Sequence, residues 1–275
     1  MSHIVTLIGA YERRGYQIRT GLNPAHFGSQ RGVYFTVLFR DSIVKLTGGG
    51  LAPPECQVVE RLASYWNPQR IFVIGNAFGW STLLLSLVFQ DARVVAIDNL
   101  TEGDDARLGF DVTRNLVEDL DLDTNVVVGS SPEDVAGIVD EHLGSIDLAL
   151  IDGLHTNEQQ WKDYLAVKPW LTGEAVVLFH DVLDWAMTES FERIQADWPG
   201  PSTILHRTPS GMGLIYTESL EKHFDPILTE FVERNLSEFA PVPIFDPAEG
   251  VPSKQGGGSN VGVLRRLSRA LRRIP

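Results

Sequence analysis

A chain of 275 residues with 43% hydrophobic content can bury a sizeable core and is expected to fold alone. Its net charge of −13 is unevenly spread: five of the 23 basic residues fall in the last eleven positions, where no acid stands, so the acidic body lacks the basic footprint that a nucleic-acid partner needs. The single cysteine, Cys56, excludes an internal disulfide framework and any multi-cysteine zinc site, and Met1 to Ala10 shows no secretory leader, so a reducing, cytoplasmic setting is expected.

Residues 1–54 have no clear βα rhythm. A helix is expected near Val5–Arg14, then Gly- and Pro-punctuated segments with one strand-like run, Val33–Phe39. This region reads either as an N-terminal cap over an active site or as a packing extension of the core. From Glu55 the pattern becomes regular. Glu55–Trp66 has helical spacing, and Asn67-Pro68 stops it. Apolar strands follow at Ile71–Ile74, Arg93–Ile97, Asn125–Val128, Ile146–Ile151 and Ala175–Phe179, separated by helical stretches near Trp80–Phe89, Asp105–Leu120, Pro132–Leu143 and Glu158–Trp170. Continuous Val/Ile/Leu runs mark strands buried on both faces, and the βα alternation predicts a parallel sheet with right-handed crossovers.

After a helix near Thr188–Asp197, two further strands, Ser202–His206 and Gly213–Tyr216, are joined by the turn Thr208-Pro209-Ser210-Gly211. The fold expected is therefore α/β, a Rossmann-like doubly wound seven-stranded sheet, mostly parallel with an antiparallel C-terminal hairpin, over residues 55–240. Residues 218–240 look helical. Residues 241–260 form a Pro/Gly/Ser-rich flexible linker, and 261–275 a basic amphipathic tail with Val261, Leu264, Leu267, Leu271 and Ile274 on one stripe. Such a tail suits a peripheral membrane contact, a partner, an oligomer contact or a disordered solubilising end. One competing pattern needs weighing: Ile71 to Gln90 carries no charge, and Gly75-x-x-x-Gly79 imitates a transmembrane dimerisation motif. Asn76, Ser81 and Thr82 interrupt the run, and strand-then-helix pairs recur downstream, which favours a βα unit.

Two short signals carry the chemistry. Ile71 to Thr82 is an apolar strand running into a Gly-bracketed turn and then a helix, the arrangement by which α/β folds present backbone N–H groups to a charged ligand. Ile151-Asp152-Gly153-Leu154-His155 ends another strand with an acid and, three residues on, a histidine, offering a metal ligand and a proton acceptor.

With Gly75-Asn76-Ala77-Phe78-Gly79-Trp80-Ser81 after the first of these strands, Ala96-Ile97-Asp98 at the second, Gly129-Ser130-Ser131 after the third, Asp152-Gly153-Leu154-His155 after the fourth and Phe179-His180-Asp181-Val182 at the fifth, the chain over Glu55–Tyr216 resembles the class I S-adenosylmethionine-dependent methyltransferases, in particular the small O-methyltransferases related to catechol and macrolide-sugar O-methyltransferases. The resemblance implies a cofactor held by Gly75, Asn76, Ala77, Gly79 and Ser81 at its amino-acid end, by Asp98 at the ribose, by Ser131 near the adenine and by Asp152 beside the sulfonium. It also implies a divalent cation, Mg²⁺ or Mn²⁺, on Asp152, His180 and Asp181, and His155 as general base for a hydroxylated small-molecule acceptor. Catechol-type relatives place a lysine where His155 stands; macrolide-sugar relatives place a histidine. Two departures stand out. His180-Asp181 replaces the Asp-Asn pair of the catechol type, and Val73 stands where many class I enzymes carry an acid. A nucleotide-dependent oxidoreductase and a methyltransferase-like binding protein without turnover are the alternatives; the first lacks its Gly-x-Gly-x-x-Gly spacing.

Overall fold

The computed structural model of the protein describes residues 2–21, 35–40, 43–44, 50–101 and 105–235. The expected linker 241–260, the tail 261–275 and the beginning of the Val33–Phe39 run lie outside them.

Every strand expected after Glu55 forms. Helix α2 (Pro53–Ala63) leads into β4 (Arg70–Ile74), α3 (Trp80–Val88), β5 (Arg93–Asp98), α4 (Ala106–Asp119), β6 (Thr124–Val128), α5 (Val135–His142), β7 (Ile146–Ile151), α6 (Asn157–Val167), β8 (Leu171–Phe179), α7 (Thr188–Asp197), β9 (Ser202–Leu205), β10 (Met212–Tyr216) and α8 (Glu221–Phe231). The seven strands are ordered β6-β5-β4-β7-β8-β10-β9; the first five are parallel, and β10 pairs antiparallel with both β8 and β9. The charge-free stretch Ile71–Gln90 is thus split between a central strand and a nine-residue helix, and no helix among the described residues is long and apolar enough to cross a membrane.

Successive residues of each central strand serve opposite faces. Ile71, Val73, Val94, Ala96, Leu148, Leu150, Val176 and Leu178 pack in one apolar cluster with side chains of α2, α3, α4 and α8, whereas Phe72, Ile74, Val95, Ile97, Ala149, Ile151, Val177 and Phe179 pack in another with α5, α6 and α7. This is why the runs read as unbroken apolar stretches: both faces of the pleat are covered. Val73, at the position where an acid is common, is fully buried in the first cluster and offers the site no polar group.

The N-terminal region adds α1 (His3–Arg13) and a three-stranded antiparallel sheet of β1 (Gln17–Arg19), β2 (Val37–Arg40) and β3 (Ile43–Val44). Leu7, Ala10 and Tyr11 of α1 belong to the same apolar cluster as β4 and α3.

The sheet reverses direction of build between β4 and β7, and in such sheets the crevice at the carboxyl ends of these strands is where ligands bind. There the ladder runs one step past each strand: Gly75 N–H donates to Ile97 O (3.0 Å), Asp152 N–H to Ile74 O (2.9 Å) and His180 N–H to Ile151 O (3.0 Å). The sequence suggests that Gly75 and Gly79 leave room for a cofactor. The structure gives each an intramolecular reason as well. A side chain on Gly75 (φ 93°) would collide with the backbone carbonyl of Asp152, and one on Gly79 (φ 80°) with the side chain of Thr113. Gly75→Ala combines a left-handed backbone with a clash against main chain, so we expect it to cost roughly 2 to 4 kcal/mol. Urea denaturation should show a lower midpoint at unchanged slope; a midpoint equal to that of the parent would refute the constraint.

Candidate active site

A cleft of about 260 Å³ opens at the switch point, lined by the Gly75–Phe78 turn, Trp80 and Ser81 of α3, Asp98, Gly129, Ser131, Gln159 and Asp163, and by Asp152, Leu154 and His155. Gly79 begins α3 without a side-chain cap, so the positive helix end at Trp80 and Ser81 is available to a carboxylate.

The turn is held from inside. Asn76 is buried, and its amide donates to Ala77 O (3.1 Å) and Thr113 Oγ1 (3.0 Å) while its Oδ1 accepts from Thr82 Oγ1 (3.0 Å). Ala77 sits at φ 45°, a conformation that a non-glycine residue adopts only under such constraint. Asp98 ends β5 beside the turn: Oδ2 accepts from Asn76 N–H (3.1 Å) and Ala77 N–H (2.8 Å), and Oδ1 from Leu100 N–H (2.8 Å). Three of its roughly four acceptor positions thus shape the turn, and one is left for a ligand hydroxyl.

At the end expected to receive adenine, Ser131 Oγ donates to Asp163 Oδ1 (2.5 Å), and Gln159 Nε2 donates to the same oxygen (2.7 Å) and to Ser131 O (2.7 Å). Gln159 and Asp163 were not foreseen; their i, i+4 spacing on α6, on the face turned to Ser131, is the only signal in the sequence.

The opposite end holds the ionisable cluster. His155 Nε2 lies 3.0 Å from Asp181 Oδ2 and 3.4 Å from Asp152 Oδ1, and its ring stacks on Trp185 with centroids 4.9 Å apart and planes at 18°. Asp152, His155 and Asp181 can bring one ligand atom each within 4.8 Å of one another. The sequence expects His180 beside Asp152 and Asp181 as a cation ligand. Its Nδ1 lies 3.2 Å from Asp152 Oδ1 and from Asp181 Oδ2, close but in hydrogen-bond geometry with neither, while Nε2 contacts the fully buried Glu55 Oε2 at 3.1 Å. Asp181 also carries a left-handed backbone, φ 59°.

These charges are strongly interdependent. Burial alone would lower the pKa of both histidines. The hydrogen bonds and charges of Asp152 and Asp181 reverse this for His155 and push it up to about 10, and the charges of Asp181, Asp152 and Glu55 raise His180 well above its ordinary value. Burial likewise works to raise Asp152 and Asp181, but the nearby His180 charge, with the His155 imidazole beside them, holds each below the usual carboxylate range. The two carboxylates beside His155 thus favour its protonated form.

Asp163 behaves oppositely. Burial pushes its carboxyl up to about 6, only partly opposed by Ser131 and Gln159. Because the folded-state value lies above the unfolded one, folding is favoured by protonation. That contribution is complete below about pH 4 and is lost as pH rises through about 6. Asp163→Asn keeps an oxygen for both donors and removes the buried charge. We expect it to stabilise the protein by up to about 3 kcal/mol at pH 8, shrinking to little at pH 4.5, in thermal melts across that range. A pH-independent difference would contradict the assignment.

Residues 72–182 match a family described as a methyltransferase domain. No curated protein matches the chain. Among solved structures, the chain is similar to a methyltransferase from Geobacter sulfurreducens (20% identity, covering 61% of this chain and 79% of that one, TM-score 0.50) and to a cofactor-bound protein from MTB (18% identity, 63% and 84%, TM-score 0.50). An O-methyltransferase from Bacillus cereus in complex with SAH aligns at 18% identity over 62% and 83% of the two chains, TM-score 0.49. At such identities the likeness is one of fold, and the family match covers the strands and turns that build the cleft. Over residues 72–182 the chain is thus similar to a methyltransferase domain, and the sheet around that stretch has the fold of the solved methyltransferases.

Proposed function

We propose that the protein is an S-adenosylmethionine-dependent O-methyltransferase that transfers a methyl group to a hydroxyl of a sugar, glycosylated or other small-molecule acceptor. The observation that carries this reading is the gathering of His155, Asp152 and Asp181 at the ends of β7 and β8, with His155 and Asp152 lining one cleft together with the glycine turn and Asp98. The antiparallel β9–β10 end and the family match leave the oxidoreductase alternative without support.

S-adenosylmethionine supplies an electrophilic methyl group on a sulfonium: the carbon leaves sulfur, the bonding pair stays with sulfur, and the acceptor oxygen forms the new bond. The chain aligns the participants and takes the hydroxyl proton. The end of α3 and the Asp98 lone pair suit the cofactor's carboxylate and ribose, and Ser131 with Asp163 the polar edge of its base. Trp185 fixes the plane of the His155 ring, so the imidazole approaches the acceptor in one orientation. Asp181, 3.0 Å from Nε2, stabilises the imidazolium that forms on proton uptake. Asp152, Asp181 and His180 would hold a divalent cation, which as a Lewis acid favours the ionised acceptor oxygen. Leu154, 58% exposed at the rim, offers an apolar surface to the body of the acceptor.

Calorimetric titration with S-adenosylmethionine and S-adenosylhomocysteine, with and without Mn²⁺, tests the cofactor. Binding is expected and should weaken at least tenfold in Asp98→Ala. Absence of binding under every condition would leave only a scaffolding protein. Against a panel of hydroxylated sugars and glycosides, with S-adenosylhomocysteine release as the readout, His155→Ala should bind cofactor within about threefold of the parent and lose a factor of 10² to 10⁴ in kcat. Unchanged turnover would remove His155 as the base.

A further inference from the structure

Glu55 is the third residue of α2, and its Oε2 accepts from Ala52 N–H (2.8 Å) in the manner of an N-terminal helix cap. Because Ala52 has no side-chain acceptor, only the glutamate half of a reciprocal capping pair exists. Such a cap is worth on the order of 1 kcal/mol and works equally well at a solvent-exposed position, whereas sequestering a carboxylate completely costs several kcal/mol unless charge and hydrogen bonds compensate. Glu55 has no exposure at all. Its remaining partners offset that cost: Oε1 accepts from Ser210 N–H in the β9–β10 turn (2.9 Å), and Oε2 lies 3.1 Å from His180 Nε2. One carboxylate therefore ties α2, the β9–β10 turn and the end of β8 together directly behind the ionisable cluster.

The consequence falls on the other ring nitrogen. With Nε2 held by Glu55, the 2% exposed imidazole of His180 is fixed with Nδ1 facing inward, equidistant at 3.2 Å from Asp152 Oδ1 and Asp181 Oδ2 and without a hydrogen-bond partner. A buried ring nitrogen aimed between two carboxylate oxygens, with its opposite nitrogen on a buried carboxylate, is the carboxylate–histidine arrangement that orients an imidazole toward a cation. The edge-to-face contact with Phe35, centroids 5.9 Å apart, restrains the ring on its apolar side.

We propose that Glu55 is a positioning residue of the cation site: through Nε2 it presents Nδ1 of His180 as a nitrogen donor beside Asp152 and Asp181, which suits the site to a transition-metal dication such as Mn²⁺ better than to Mg²⁺. Hard Mg²⁺ takes oxygen ligands, while imidazole nitrogen is favoured by the transition metals. The inference rests on the methyltransferase reading for the place of the cation and not for the geometry behind it.

The experiment titrates the full chain with Mn²⁺, following the signal of the free ion by electron paramagnetic resonance, with Mg²⁺ as competitor. Wild type should bind one Mn²⁺, and Mg²⁺ should displace it only at about a hundredfold excess or more. Glu55→Gln should weaken Mn²⁺ 10- to 100-fold and change Mg²⁺ binding far less, narrowing the preference. His180→Gln, whose amide nitrogen can still reach Glu55 but supplies no donor at the Nδ1 position, should do the same, and it decides the matter if Glu55→Gln does not fold. The nitrogen modulation of bound Mn²⁺ in pulsed measurements should fall in both. A merely structural Glu55 would lower the melting temperature and leave the Mn²⁺ affinity and the Mn²⁺/Mg²⁺ ratio untouched, which overturns the proposal, as does equal displacement by Mg²⁺ in wild type. Failure of wild type to bind Mn²⁺ also overturns it. Retained S-adenosylhomocysteine binding in the same preparation would show that the methyltransferase reading stands apart from it.

Discussion

The site depends on the closeness with which β4 and β7 approach at their carboxyl ends. Gly75 and Asp152 meet backbone to backbone, with no space between them for a Cβ, and Asp152 N–H reaches back to Ile74 O. Two parallel strands buried on both faces cannot shift by one residue without moving apolar side chains into the opposite layer, so the register that seals the core also sets the height of Asp152. From there the positions propagate: His180 N–H bonds to Ile151 O, which fixes the start of the Asp181 turn, and Gly75 N–H bonds to Ile97 O, which brings Asp98 under the Asn76–Ala77 amides. Cofactor turn and ionisable cluster are thus two ends of one hydrogen-bond ladder.

The cluster is close to charge-balanced before any ligand enters. Two imidazoles face Asp152 and Asp181, and the second is backed by Glu55, so each buried carboxylate has a cationic neighbour. That balance resolves the burial cost and explains why Asp181 tolerates φ 59°: contacts to both imidazoles offset a conformational cost of about 1 to 3 kcal/mol.

The sheet was legible because its signal is simple: strands covered on both faces read as unbroken apolar runs, and the turn residues at their ends mark the crevice. Asp98, Ser131, Asp152, His155 and Asp181 all stand at strand ends and could be placed by that rule. What escaped was set by contacts far apart in sequence. Glu55 looks like any first-turn helix acid, since nothing local records that His180, 125 residues on, lies against it. Asp163 looks like a solvated helix residue next to Lys162 and is in fact buried against Ser131. The position of His180 after β8 puts it beside the ionisable cluster, and sequence cannot tell which ring nitrogen faces inward. The missing side chains of Gly75 and Gly79 also admit other parts of the chain, a pairing that only the folded topology reveals.

The N-terminal elements enter this site at both ends. Tyr11 of α1 donates to Phe78 O (2.6 Å) at the back of the glycine turn, Trp80 at the start of α3 donates to Leu51 O (3.1 Å), and Gly50 has no room for a side chain because the Trp80 ring lies against it. Glu55 then anchors the cluster end from the first turn of α2. The region that matches a methyltransferase domain begins at residue 72; it contains the central strands, the turn and the ionisable side chains, while Tyr11, Leu51 and Glu55 brace them from outside it. Side chains that hold a site rigid are as necessary to its geometry as those that line it, and in this chain part of that rigidity comes from residues before the matched region. A buried glutamate ahead of the matched region sits against a histidine at the end of β8, so the residues before residue 72 can tune the site without altering the sheet.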